Sequence, residues 1–234
     1  LVETVEAKIL DGYATFEYPM TRFRFRSSTN AEDIAGFNGA GLYTSITGDP
    51  GVSDKAVTEA LKVVWSSVWN DRAYSERQYY SIDHTQIGMA ILSHRSFPDE
   101  DANGVAITAN IFDAVGLEPG FYVNVQLGDV PVVKPQAGVT SDQFVHYYEQ
   151  PGQPVVYLAH SSLVSEGDTV LTNSQINELG QALKAIHLQF APLYMTPGSF
   201  YGMDVEFKFD SFEFGKPVLY VKQARPYPGW ADSN

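Results

Sequence analysis

"MDVEFKFDSFEFGKPVLYVKQARP" (Met203–Pro226) carries two β-type runs on either side of Gly215. Strict alternation in the first run puts Met203, Val205, Phe207 and Phe209 on one face and Asp204, Glu206 and Lys208 on the other. In the second run the same period groups Leu219, Val221, Gln223 and Arg225. A hairpin turning symmetrically about Phe214 and Gly215 then sets Glu206 opposite Gln223 and Asp204 opposite Arg225. Four polar groups meet on one patch. The patch reads in two ways: as the solvated face of an edge hairpin carrying an Asp–Arg pair, or as a metal-and-phosphate site. Carboxylate and amide oxygens suit Mg2+, and an arginine fork suits a phosphate.

Working outward, Ile176, Leu179, Leu183, Ile186 and Phe190 share one helical face. Thr172 and Gln175 form a capping box at its start, and Pro192 and Pro197 close it. A second amphipathic pattern, Val57, Leu61, Val64, Trp65, Val68 and Trp69, predicts a helix from Ser53 to about Tyr80, preceded by the Gly48–Pro50–Gly51 breaker cluster, with both tryptophans in the core. Short β-type runs lie between: Ile87–Ser93, Gly104–Ile111, Phe121–Leu127 and Val155–His160. The order gives an α+β fold with a mixed or antiparallel sheet, packed helices and a C-terminal β-hairpin. It forms one domain, with subdomains 1–85 and 86–228 and a tail at 229–234.

Composition narrows the partners. The 234 residues are 44% hydrophobic, enough for a sizeable core, and lack cysteine, which removes disulfides and thiolate chemistry. A formal charge of −13 speaks against nucleic-acid and anionic-membrane binding, and no apolar run is long enough for a membrane span. The compartment is the cytoplasm by default, with export left open because the chain does not begin with methionine.

"FRFRSSTNAEDIAGFNGAGLY" (Phe23–Tyr43) offers the Arg26 guanidinium, three hydroxyls and glycines at 36, 39 and 41, a loop able to approach an anion closely. Without Gly-Lys-Ser/Thr it is not a Walker P-loop. The order of its residues resembles the arginine-serine-serine, alanine-glutamate-aspartate signature of the PEP/pyruvate-binding, ATP-grasp-like nucleotide domain of pyruvate phosphate dikinase, phosphoenolpyruvate synthase, glucan water dikinases and rifampin phosphotransferase. "DVEFKFD" and "KPVLYVKQARPYP" are similar to its closing motif, and "IGMAILSHRSFPDEDANGVAIT" (Ile87–Thr108) to its central segment.

The resemblance implies a set of roles. Arg26 contacts the nucleotide phosphates, Gly41 and Ser45 belong to the loop over them, and His94, Arg95 and Phe97 edge the adenine. Glu206 and Gln223 hold Mg2+, supported by Asp204, and Arg225 stabilises charge on the transferred group. The expected function is the ATP-binding portion of a dikinase-type phosphotransferase, with a phosphohistidine domain and an acceptor domain on a longer chain or a partner. The family's lysine-bearing, glycine-rich segment has no match before Arg26, which supports an alternative: a degenerate nucleotide-binding or interaction module without catalysis. An aromatic-rich carbohydrate-binding module is a third reading.

Overall fold

The computed structural model describes residues 4, 7–9, 11, 22–34, 37–39, 41–49, 56–97, 100–113, 116–133, 135–211 and 214–229. The expected helix start at Ser53 and the breakers Pro50 and Gly51 lie outside them, as do Gly36 and most of the tail. The chain divides after Ser96 into two compact units.

The first unit contains β1 (Phe23–Thr29), the short β2 (Asp33–Ile34) and β3 (Phe37–Asn38), β4 (Ile46–Gly48), α1 (Val57–Ser66), α2 (Asp71–Tyr79) and β5 (Met89–Arg95). The main sheet has the order β4-β1-β5, antiparallel throughout. Phe23 and Phe25 of β1 pack with Val57, Ala60, Leu61 and Val64 of α1 in one buried cluster. Burying phenylalanine, valine and leucine side chains contributes about 1.5–3 kcal/mol each. By alternation Arg24, Arg26 and Ser28 take the other face.

The expected single helix is broken: a 3-10 turn spans Ser67–Trp69, and Asn70 caps α2 by accepting the Ala73 N–H at 2.7 Å. Helical phase is lost at this break, so Trp69 is 60% exposed instead of lying in the core, whereas Trp65 packs against the α1 cluster. Arg77 of α2 is fully buried and donates to the Val68 carbonyl, the Tyr43 hydroxyl and His84 Nδ1. Tyr43 in turn donates to the Ala31 carbonyl at 3.0 Å, which ties both ends of the segment between β1 and β4 to α2.

The second unit contains β6 (Ala102–Ile107), β7 (Phe121–Leu127), β8 (Asp142–His146), β9 (Val155–Ala159), α3 (Asn173–Tyr194), β10 (Met203–Asp210) and β11 (Val218–Pro226). Its six strands run in the order β11-β10-β6-β7-β8-β9, with every pair antiparallel. Met203, Val205, Phe207 and Phe209 are buried with Phe121, Phe144, Ile176, Leu179 and Leu183, so α3 covers the face that alternation made apolar. The Thr172–Gln175 capping box is present. Pro192, expected to end the helix, lies inside it. Proline's fixed φ is helical, and the helix ends two residues later with Met195 N–H bonded to the Ala191 carbonyl.

Gly180 lets α3 approach the sheet: a Cβ there would stand 2.6 Å from the ring of His146, which is itself buried. Burial lowers the pKa of His146 and of His187 from the ordinary 6.5. The unfolded chain therefore takes up protons first as the pH falls. Stability from these groups is complete above about pH 6.5 and lost as the pH drops from there through the folded pKa values. The unfolding midpoint is expected to fall on acidification across this window, and to fall less in His146→Leu. Equal slopes in the two proteins would contradict this.

Candidate functional site

Beyond the covered face, β10 and β11 present the polar residues. Glu206 pairs in register with Gln223, and Asp204 with Arg225, as alternation predicts. The route to that register differs. Next to the turn the pairing is centred on Phe214, and a bulge at Lys222 adds one residue, restoring the expected opposition beyond it. The bulge also separates Leu219 and Val221, which pair with Phe209 and Phe207, from Gln223 and Arg225, which join the carboxylates.

Arg225 Nε and Nη2 each lie 3.0 Å from Asp204 Oδ2, and both side chains are partly buried. Glu206 and Gln223 are half-buried beside them. Along the same face Lys208 pairs with Glu100, whose carboxylate is almost wholly buried. Tyr220 faces Lys208 in register and lies 5.0 Å from the Phe97 ring, over which Lys222 Nζ sits at 4.0 Å. Phe97 thus belongs to an aromatic and cationic cluster at the turn-proximal part of the hairpin.

The first unit holds the remaining expected residues. Arg26 lies on the face of β1 opposite the α1 core, a strand where the sequence suggested a loop. Ser45 Oγ accepts the Ser27 N–H at 3.2 Å, which fastens it to the residue after Arg26. Gly41 turns the chain with a φ of +74°, in the left-handed region. His94 faces Arg24 in register and Arg95 faces Phe23, so His94 shares the open face while Arg95 lies on the other. Arg24 is the residue that sequence reading passed over. Its place two residues from Arg26 puts both guanidiniums on one side, and Arg24 Nη1 donates to Thr47 Oγ1 at 3.2 Å. Burial, and then the like charge of Arg26, hold Arg24 below the usual arginine range.

Oxygen donors at Glu206 and Gln223 fit a hard cation such as Mg2+, which takes one or two protein ligands and completes its shell with phosphates and water. Among the described residues no group of three His, Cys, Asp or Glu side chains is placed to hold a metal alone. A cleft in the second unit, lined by Thr108, Asn110, Glu118, His187 and Tyr201 among others, contains none of the expected site residues. Among the described residues no helix is long and apolar enough to cross a membrane.

Comparison with known proteins gives a family model described as "Pyruvate phosphate dikinase, AMP/ATP-binding domain", which matches residues 1–234. The chain is also similar to phosphoenolpyruvate synthase of Deinococcus radiodurans, at 28% identity over 221 residues, covering 86% of this chain and 26% of that relative. It therefore spans about a quarter of that protein's length.

Proposed function

The chain belongs to the pyruvate phosphate dikinase AMP/ATP-binding domain family, and from that premise we propose that it holds Mg2+ and ATP and positions the terminal phosphates for transfer to a histidine on another domain. The fold in this reading is ATP-grasp-like. The observation that carries the proposal is the register of β10 with β11, which sets a carboxylate opposite an amide and, two residues away, an arginine fork held by Asp204. Phosphoryl transfer asks a protein mainly for positioning and charge stabilisation, and this pattern of groups can supply both.

Glu206 and Gln223 would hold the magnesium ion, which when bound neutralises charge on the phosphates. Asp204 orients Arg225, and Arg225 stabilises charge on the transferred group. Arg26 binds phosphate oxygens, Ser45 and Gly41 shape the loop beside it, and His94, Arg95 and Phe97 edge the base. The phosphohistidine and acceptor domains lie on a longer chain or a partner, and the acceptor defines the overall reaction.

Glu206→Gln keeps the shape and removes the charge. In a calorimetric titration of ATP into this variant, the tightening produced by Mg2+ is expected to shrink at least about tenfold, with affinity measured in chelator little changed. An unaltered magnesium response would contradict the assignment. Nucleotide binding indifferent to magnesium in the parent chain as well would leave the non-catalytic module as the better reading.

A further inference from the structure

Arg22, Arg24 and Arg26 occupy alternate positions, so their side chains leave β1 and the residue before it on one face. Their partners differ in a way that stability does not explain. Arg22, more than half exposed, is neutralised by Asp49 at 3.2 Å. Arg24 is more buried, yet among the described residues its one hydrogen-bond partner is the neutral Thr47 hydroxyl, and its charged neighbour is Arg26. Withdrawing a cation from water beside a second cation is unfavourable, and folded chains ordinarily offset this with a carboxylate. This chain has 28 acidic residues, so a carboxylate was readily available to selection.

We propose that Arg24 is a second phosphate-binding guanidinium, acting with Arg26 so that the open face of β1 takes an oligophosphate of at least two phosphate groups in preference to a single phosphate. The spacing suits this. Residues two apart on a strand are separated by about 6.6 Å, so two forks can engage neighbouring phosphates instead of competing for one. Thr47 on one side and His94 on the other flank Arg24 in register, and the Thr47 hydroxyl orients the fork without neutralising it. Its depressed proton affinity agrees with a guanidinium awaiting an anion. The proposal rests on the nucleotide reading for the phosphate role of Arg26 and for naming ATP as the oligophosphate.

The test uses the whole chain at low ionic strength, with ATP, AMP and inorganic tripolyphosphate titrated by calorimetry into the parent, Arg24→Gln and Arg24→Lys. Arg24→Gln is expected to bind ATP and tripolyphosphate about tenfold more weakly, the usual weight of a charge-assisted contact, and AMP less than about twofold more weakly. Arg24→Lys recovers part of the loss. The unliganded Arg24→Gln protein melts no lower than the parent, because the substitution removes repulsion and a buried charge. A residue serving structure alone would give the opposite pair of results.

Equal affinity of the parent and Arg24→Gln for tripolyphosphate overturns the proposal, as does an equal loss for AMP. A parent that binds tripolyphosphate but not ATP overturns the nucleotide reading and leaves Arg24 to be judged on the inorganic arm. A parent that binds neither overturns both.

Discussion

Gly104→Ala is expected to lower the stability of the second unit by about 3 kcal/mol or more, because one methyl group has nowhere to go. Gly104 sits in the middle of β6, paired with Phe207 on one side and Val125 on the other. A Cβ at this position would stand 2.5 Å from the Phe207 ring and 2.8 Å from the Asn124 carbonyl oxygen. The ring is itself 1% exposed in the main core, and the carbonyl belongs to the backbone of β7, so neither yields cheaply. An ordinary domain is stable by only about 5–15 kcal/mol, so the loss is a large share of the total. In thermal unfolding it corresponds to a midpoint about 6–12 °C lower for a chain of this size. Gly88, around which no atom would meet an added Cβ, provides the control: Gly88→Ala is expected to stay within about 0.5 kcal/mol of the parent. Shrinking the ring in Gly104→Ala with Phe207→Leu restores part of the loss, and the contact with the Asn124 carbonyl retains the rest. A Gly104→Ala protein as stable as the parent would show that the strands are farther apart than described.

The hairpin was legible because two signals agreed. Period-two alternation from Met203 to Phe209 is uninterrupted, and all four apolar members are essentially inaccessible. The carboxylates and their partners followed from that alternation together with the turn. The register came out as expected only because the bulge at Lys222 compensates for a turn centred one half-residue earlier, and nothing local in "VLYVKQ" announces a bulge. β1 was missed because its outward positions are Arg24, Arg26 and Ser28 and its inward ones end in Ser27 and Thr29, which reads as a polar loop until Phe23 and Phe25 find α1. β8 was missed for a related reason. Asp142 is buried at its start, accepting the Ser161 and Val170 N–H groups, and a buried, satisfied aspartate looks like a turn residue in sequence. The break at Ser67–Asn70 was invisible to apolar spacing, although Asn70 as a cap was available to be read. The proposed role of Arg24 lay beyond sequence altogether, since it depends on Arg22 having a carboxylate partner and Arg24, among the described residues, having the Thr47 hydroxyl instead.

The larger functional effect is expected from Arg26→Ala. Arg26 lies on the open face of β1, beside Arg24 and one residue before the Ser27–Ser45 contact that fastens the following loop. On the proposed phosphate role, removing this guanidinium and its charge-assisted bonds is expected to cost about 2–3 kcal/mol of binding free energy, roughly 30- to 150-fold in affinity for ATP. Arg26→Lys keeps the charge but loses the two-pronged geometry, so it recovers only part of the affinity. Far-ultraviolet dichroism and the thermal midpoint, measured alongside, separate loss of binding from loss of fold. Affinity unchanged in a folded Arg26→Ala protein would remove Arg26 from the proposed phosphate-binding residues.

The most direct measurement is a calorimetric titration of ATP with Mg2+ into the parent chain and into a chain carrying both Arg26→Ala and Glu206→Ala. Saturable, magnesium-dependent binding by the parent that disappears in the double variant is the predicted result. A folded parent that gives no binding, or a double variant that binds as the parent does, would contradict the account.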